Sequence, residues 1–330
     1  MDLGAKTALT VLALVGTPRL AAADANDLVM SRLATKIVSN GAVVGAVGEN
    51  LEFRALASQL GVVLAPHLLT PADTLGYGGF QIDVEASQTT IDSAQPYWRV
   101  LAGSPDPAGT GGVAHGEGFL RTVGVFARKG LWLPVPSFEV GVGAINLLDS
   151  QTWAAQITGK LAIHEGYHDL ALPSLAIRGA VSRMINQREL DLTVFSADAV
   201  VSKHFGIGGT WRLDPFAGYD LLLIVPRSEV IDATPEIDPL SAGNGMDSAN
   251  NFAFKEQAAI VRHRIIAGLK LQYDVVQLTV EAQYALAGSS TDNRAGVVAA
   301  CGASSMTADC NATDIASAQT TVSVSAGLDF

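Results

Sequence analysis

The C-terminal residues alternate strictly. Val322, Val324, Ala326, Leu328 and Phe330 share one parity, and Thr321, Ser323, Ser325, Gly327 and Asp329 share the other. Successive side chains of a strand point to opposite faces, so this segment predicts a strand with one apolar and one polar side. Val276 to Leu286, Ala259 to Tyr273 and Trp153 to Ile163 repeat the pattern. Ten strands are expected, at about 78–92, 118–129, 137–148, 151–164, 174–186, 189–203, 210–225, 256–273, 275–288 and 319–330. Several are far longer than the usual globular strand of roughly 5–6 residues. Connections after the first, seventh and ninth strands are long (93–117, 226–255 and 289–317), and those after even-numbered strands are short. All long loops therefore fall at one end, the sorting expected of a barrel that crosses a membrane. Phe80, Trp132, Phe138, Phe205, Trp211, Tyr273 and Phe330 collect near the short-turn end, and Tyr97, Trp98, Trp153 and Tyr284 near the long-loop end. Two such belts suit headgroup levels.

Before residue 77 the period changes. Met30, Leu33, Ala34 and Ile37, with Asp27 as cap, have helical spacing, and so do Phe53, Leu56, Ala57 and Leu60, with Gly61 placed as a stop. Pro66 and Pro71 then enforce extended backbone. Residues 24–76 are expected to be two short helices and a linker that plugs the barrel, lies beneath it or leads into it. Residues 1–23 predict an export signal: Lys6, an apolar run over 7–17, and the cleavage triplet Ala21-Ala22-Ala23.

Composition sharpens this division. Of 330 residues, 48% are hydrophobic and only 16% charged, so the chain is more apolar than a typical soluble domain. Yet beyond the leader no run approaches the ~18 apolar residues of a spanning helix. A barrel resolves the conflict by spreading its apolar residues one at a time. The net charge of −11 excludes a nucleic-acid footprint. Cys301 and Cys310 are spaced for a small disulfide loop; two buried thiols are the other reading.

The leader, the strands of 77–330 and the terminal Phe330 together resemble the outer-membrane β-barrel proteins of Gram-negative bacteria. The resemblance implies an all-β, up-and-down antiparallel transmembrane barrel of about ten strands (eight to twelve) in the cell outer membrane. It also implies lipid and lipopolysaccharide as surroundings, and a barrel-assembly machinery that reads Leu328 and Phe330. No cofactor is expected.

The polar parity would line the lumen with Asp83, Glu85, Glu139, Asp191, Asp198, Asp214, Asp220 and Glu281 against Lys160, Arg178, Arg212, Arg262, Arg264 and Lys270. These charges either pair across a filled lumen or line a narrow pore. His263 falls on the lipid parity unless a bulge turns it inward. A narrow porin-like channel for small solutes or ions is the first functional reading. A structural or adhesive barrel acting through its long loops is the second. A zinc protease is the third, on His164-Glu165-Gly166-Tyr167-His168, which matches H-E-x-x-H. That chemistry needs a helix, whereas 156–163 alternate as a strand, so no metal site and no catalytic residue are expected.

Overall fold

The computed structural model describes residues 24–104, 117–132, 137–166, 172–234, 250–292 and 313–330. The chain begins with a hairpin, β1 (Ala34–Ser39) and β2 (Ala42–Gly48), followed by helix α1 (Asn50–Val63). Four long strands come next: β3 (Phe80–Thr90), β4 (Phe119–Leu131), β5 (Phe138–Leu147) and β6 (Trp153–His164). After them run β7 (Ser174–Ile185), β8 (Leu190–Ser202), a short β9 (Phe205–Ile207) and β10 (Trp211–Ser228). The two-residue strands β11 (Ile231–Asp232) and β12 (Asn251–Phe252) pair within a long connection, and β13 (Ile260–Tyr273), β14 (Val276–Ala285) and β15 (Gln319–Asp329) complete the order.

Ten long strands close into a ring, as the alternation predicts. Each pairs antiparallel with its sequence neighbours, β15 returns to β3, and β10 pairs with both β8 and β13. Closure leaves no edge strand to recruit another chain. Three strand ends differ from expectation by three residues or more: β10 runs further, to Ser228, β13 starts later, at Ile260, and β14 stops earlier, at Ala285. Pro226 still faces Leu192 across the ladder, so the proline does not end β10.

The outward positions are apolar; the inward ones are mostly polar, with an apolar patch that includes Leu192, Val194, Leu222, Ile224 and Ile260. Val142, Ile157, Ile177, Val280 and Val322 are exposed, while Glu85, Thr279, Glu281 and Ser323 are buried. This inverts a soluble protein, and only a hydrocarbon surrounding makes it favourable. The barrel is a membrane-spanning one; among the described residues no helix is long and apolar enough to cross a membrane. Trp132, Phe205, Trp211, Tyr273 and Phe330 lie exposed around the short-turn rim, and Trp153 and Tyr284 are exposed towards the other. Tyr97 and Trp98 do not join that second belt. They are fully buried in a 3-10 turn, Pro96–Val100, that packs into the long-loop end. His263 does face outward. No bulge turns it, and its Nδ1 meets the Tyr219 hydroxyl at 2.5 Å on the next strand, which gives a polar ring a partner on the lipid side.

The N-terminal segment departs from expectation at its start. The first anticipated helix is only a 3-10 turn, Met30–Leu33, and β1 and β2 replace the rest. Asn40 and Gly41 both have positive φ, +50° and +80°, the geometry of a two-residue hairpin turn. β-branched Thr35, Ile37, Val38, Val43, Val44 and Val47 flank that turn and favour strands. The second helix forms as α1, but Gly61 does not end it. A side chain there would put Cβ 2.6–2.8 Å from Ile224, so the glycine lets the helix lie against β10. From Phe53 to Val63 every residue of α1 is buried. A helix covered on all sides belongs inside something, and α1 lies within the barrel, beside β8, β10, β13 and β15.

Candidate functional site: a lumen filled by the chain's own thread

Residues 24–49 sit at the long-loop end. Leu28 bridges Leu101, Asn26 N–H donates to the Asp149 carbonyl, and the Gln151 N–H donates to Asp27. The Met30 N–H donates to Glu189, in the turn between β7 and β8, at 3.0 Å. From there α1 descends into the barrel, 64–75 continue as irregular backbone with bends at 65, 70, 72 and 73 in place of the expected extended stretch, and Phe80 enters β3 at the opposite end beside Phe330. The chain therefore threads its own lumen from the long-loop end to the short-turn end. It lies neither beneath the barrel nor outside it.

Two prolines keep 64–75 from forming a helix, so the buried backbone there needs partners from elsewhere. The barrel wall supplies them. Ser182 donates to the Leu64 carbonyl at 2.7 Å, and Arg264 to that of Pro66 at 2.8 Å. Arg178 donates to the His67 carbonyl. Glu281 accepts the Leu69 N–H at 2.7 Å, Ser202 the Ala72 N–H at 3.0 Å, and Glu139 the Leu75 N–H at 3.2 Å. Lys160 donates to the carbonyls of Pro71 and Asp73. Leu69 holds a positive φ of +46°, a strained geometry for leucine that this wall contact helps to fix.

The same side chains also pair with each other. Arg264 bridges Asp220 with both partners at 0% exposure. Ser196 donates to Asp220 at 2.9 Å, and Arg178 bridges Asp198. His67 of the thread meets Glu85. Arg212 holds Asp214 at 2.7 Å and Asp73 at 3.2 Å, and Lys160 meets Glu139 at 3.2 Å. Higher up, Ser58 donates to Asp314 at 2.6 Å and accepts from Arg262 at 2.8 Å, while Trp98 Nε1 donates to Gln59 at 2.8 Å.

Asp83, Glu85, Glu139, Lys160, Arg178, Asp198, Asp214, Asp220, Arg262, Arg264, Lys270 and Glu281 are thus buried in the barrel, and Arg212 turns inward at its rim. Asp191 is placed differently: it shares the outward parity of Phe195 and Ala197 and pairs with the exposed Arg183 at 2.8 Å. Its strand begins at Leu190, whose buried side chain fixes the opposite parity. Arg128, Arg54 and His67 are buried here too, without having been singled out in the sequence. Arg128 was legible, as the inward parity of β4; the other two depend on the thread. His164 ends strand β6 instead of opening a helix, and Glu165 accepts from the Thr74 N–H and hydroxyl, so the described part of the motif, 164–166, is not helical. His168, Cys301, Cys310 and the expected leader lie outside the described residues.

Burial pushes the Glu189 carboxyl above its ordinary value; nearby Asp232 adds to the shift and the Met30 N–H opposes it. A carboxyl raised in the folded state makes folding weaker as pH climbs from the ordinary glutamate value through the raised one. The attachment of residues 24–34 is therefore expected to loosen over that interval and then to level off. Proteolysis of the hairpin against pH should show this slope in the native chain and none in Glu189→Gln.

No protein-family model matches the chain, and no curated protein matches it. Among solved structures it is similar to the attachment invasion locus protein Ail of Yersinia pestis, with 12% identity over 77% of this chain and 99% of that one, at a TM-score of 0.25. It is also similar to Neisserial surface protein A (10%, 77% and 98%, TM-score 0.29) and to the outer membrane protease OmpT of Escherichia coli (8%, 79% and 98%, TM-score 0.30).

Proposed function

We propose that this is a sealed outer-membrane barrel that acts at its long-loop end, where it holds its own N-terminal hairpin among the long connections. The thread carries this reading. Residues 50–75 occupy the lumen and are hydrogen-bonded along their length, so the barrel serves as a mount. What it mounts is a β-ribbon whose Ile37, Val38, Val44 and Val47 are 44–61% exposed. Exposed β-branched side chains on a small ribbon suit contact with another surface, which supports an adhesive or structural role. Outer-membrane lipid covers the apolar belt, lipopolysaccharide surrounds the long-loop rim, and Leu328 and Phe330 serve recognition by the assembly machinery.

Labelling intact cells with a membrane-impermeant thiol reagent tests this, in a background with Cys301 and Cys310 changed to serine. Ser39→Cys is expected to label from outside, and Tyr77→Cys, at the short-turn end, only after lysis. The reverse order would sink the proposal. A narrow solute channel is the second reading. It is favoured by the polar character of the contacts that hold 64–75, which water can replace if the thread withdraws.

A further inference from the structure

A cavity of about 320 Å³ lies at the short-turn end, between the thread and the walls of β5, β6, β10 and β13. Its charges are each met by an opposite one: Glu139 with Lys160 at 3.2 Å, Asp329 with Lys270 at 3.4 Å, and Asp73 at 3.2 Å from Arg212, which also holds Asp214 at 2.7 Å. An ion entering this balanced lining would give up its hydration without meeting an uncompensated counter-charge. The neutral groups are less complete. Gln272 lines the cavity, and its Oε1 finds no partner among the described residues. Directly across the ladder is Gln277, 2% exposed, with neither amide atom partnered. The next cross-strand pair is Lys270 and Thr279: the threonine hydroxyl has no partner, and the ammonium, which can donate three hydrogen bonds, has one long contact. Lys270 and Gln272 line the cavity, and Thr279 and Gln277 are their cross-strand neighbours on β14; buried polar groups are rarely left unmet.

We propose that this cavity binds a small neutral polyol of monosaccharide size. Hydroxyls both donate and accept, so one ring can meet the Gln272 amide oxygen and the Lys270 ammonium at neighbouring positions. The volume matches the lower end of small-molecule pockets, roughly 300 Å³. The site is independent of the role of the long-loop end and opens at the other mouth.

The test uses the full chain folded in a zwitterionic detergent free of sugar headgroups, with D-glucose, sodium acetate and sodium phosphate as probes, read by saturation-transfer NMR and calorimetry. Saturable glucose binding is expected, uncompeted by acetate or phosphate. Gln272→Leu and Lys270→Met should each weaken it by about tenfold, because each removes hydrogen bonds made in a desolvated site. Asp191→Asn, on the outer face, should leave it unchanged. No saturable glucose binding in the native chain would overturn the proposal and leave water as the partner of these groups. So would binding of acetate or phosphate in place of glucose, or full glucose affinity in a folded Gln272→Leu. The native-chain measurement decides the matter even if a variant fails to fold.

Discussion

Arg264→Met is expected to destabilise the barrel by about 3–5 kcal/mol, the range for removing one member of a buried ion pair. Arg264 donates from Nε to Asp220 at 2.6 Å, from one terminal nitrogen to Gln283 at 2.7 Å, and from the other to the Pro66 carbonyl at 2.8 Å. Arginine and aspartate are both fully buried. Methionine fills much of the volume but leaves the Asp220 carboxylate with the Ser196 hydroxyl as its hydrogen-bond donor and no paired cation, and the Pro66 carbonyl without a donor. The loss is thus mostly the cost of an uncompensated charge, and removing that charge should recover much of it. The double variant Arg264→Met/Asp220→Leu is expected to regain most of the stability, since a buried pair replaced by apolar residues of similar size is often near neutral. Urea unfolding in micelles, followed by the gel shift between folded and heated protein, gives both numbers. A single variant within about 1 kcal/mol of the native chain would show that water reaches Asp220 and that the lumen is not sealed there.

The second large effect is functional. Removing residues 24–76 is expected to turn an electrically silent barrel into a steadily conducting one in planar bilayers. The ten strands remain, because their ladder closes without the thread. The wall side chains that satisfied the thread would then face water, which can hydrate them. Asp83, Glu85, Glu139, Asp198, Asp214, Asp220, Glu281 and Asp329 oppose Arg128, Lys160, Arg178, Arg212, Arg262, Arg264 and Lys270, eight acids against seven bases. The opened pore should therefore discriminate weakly between anions and cations, with a reversal potential near zero in a salt gradient. Equal conductance before and after the deletion would mean that the thread is not the seal.

The barrel itself was legible in the sequence because period-two alternation is local. Val322 to Phe330 declares its two faces without help from any other segment, and a one-residue error of register would have turned Glu281 and Arg264 towards lipid. The loop sorting followed from lengths alone. The hairpin was misread because Met30, Leu33, Ala34 and Ile37 also fit a helical period; Asn40-Gly41 between β-branched residues was the available signal to the contrary. Gly61 looked like a stop because the Ile224 that it accommodates lies 163 positions away in sequence. The luminal charges could be assigned to the inside by parity, but their purpose could not. Arg178, Arg264 and Glu281 serve backbone groups of 66–69, and nothing in a strand pattern says which strand, turn or thread a charge will meet. Asp191 failed for a similar reason: at the first residues of a strand one buried neighbour, here Leu190, decides the face.

Threading also has a mechanical consequence. At the short-turn end the thread continues covalently into β3, so it cannot slide out that way. At the long-loop end the hairpin, the turn at Met30–Leu33 and the buried Tyr97 and Trp98 form a knob around its entry. The assembled molecule is a ring on an axle stoppered at both ends, one stopper a peptide bond and the other a small folded cap. Such an object cannot be taken apart while the ring is closed and the cap is folded. Assembly must therefore follow an order: the segment enters a ring that is still open at one strand pair, or it passes through before the hairpin has formed. On the first route ring closure locks the thread; on the second the folding of the cap does.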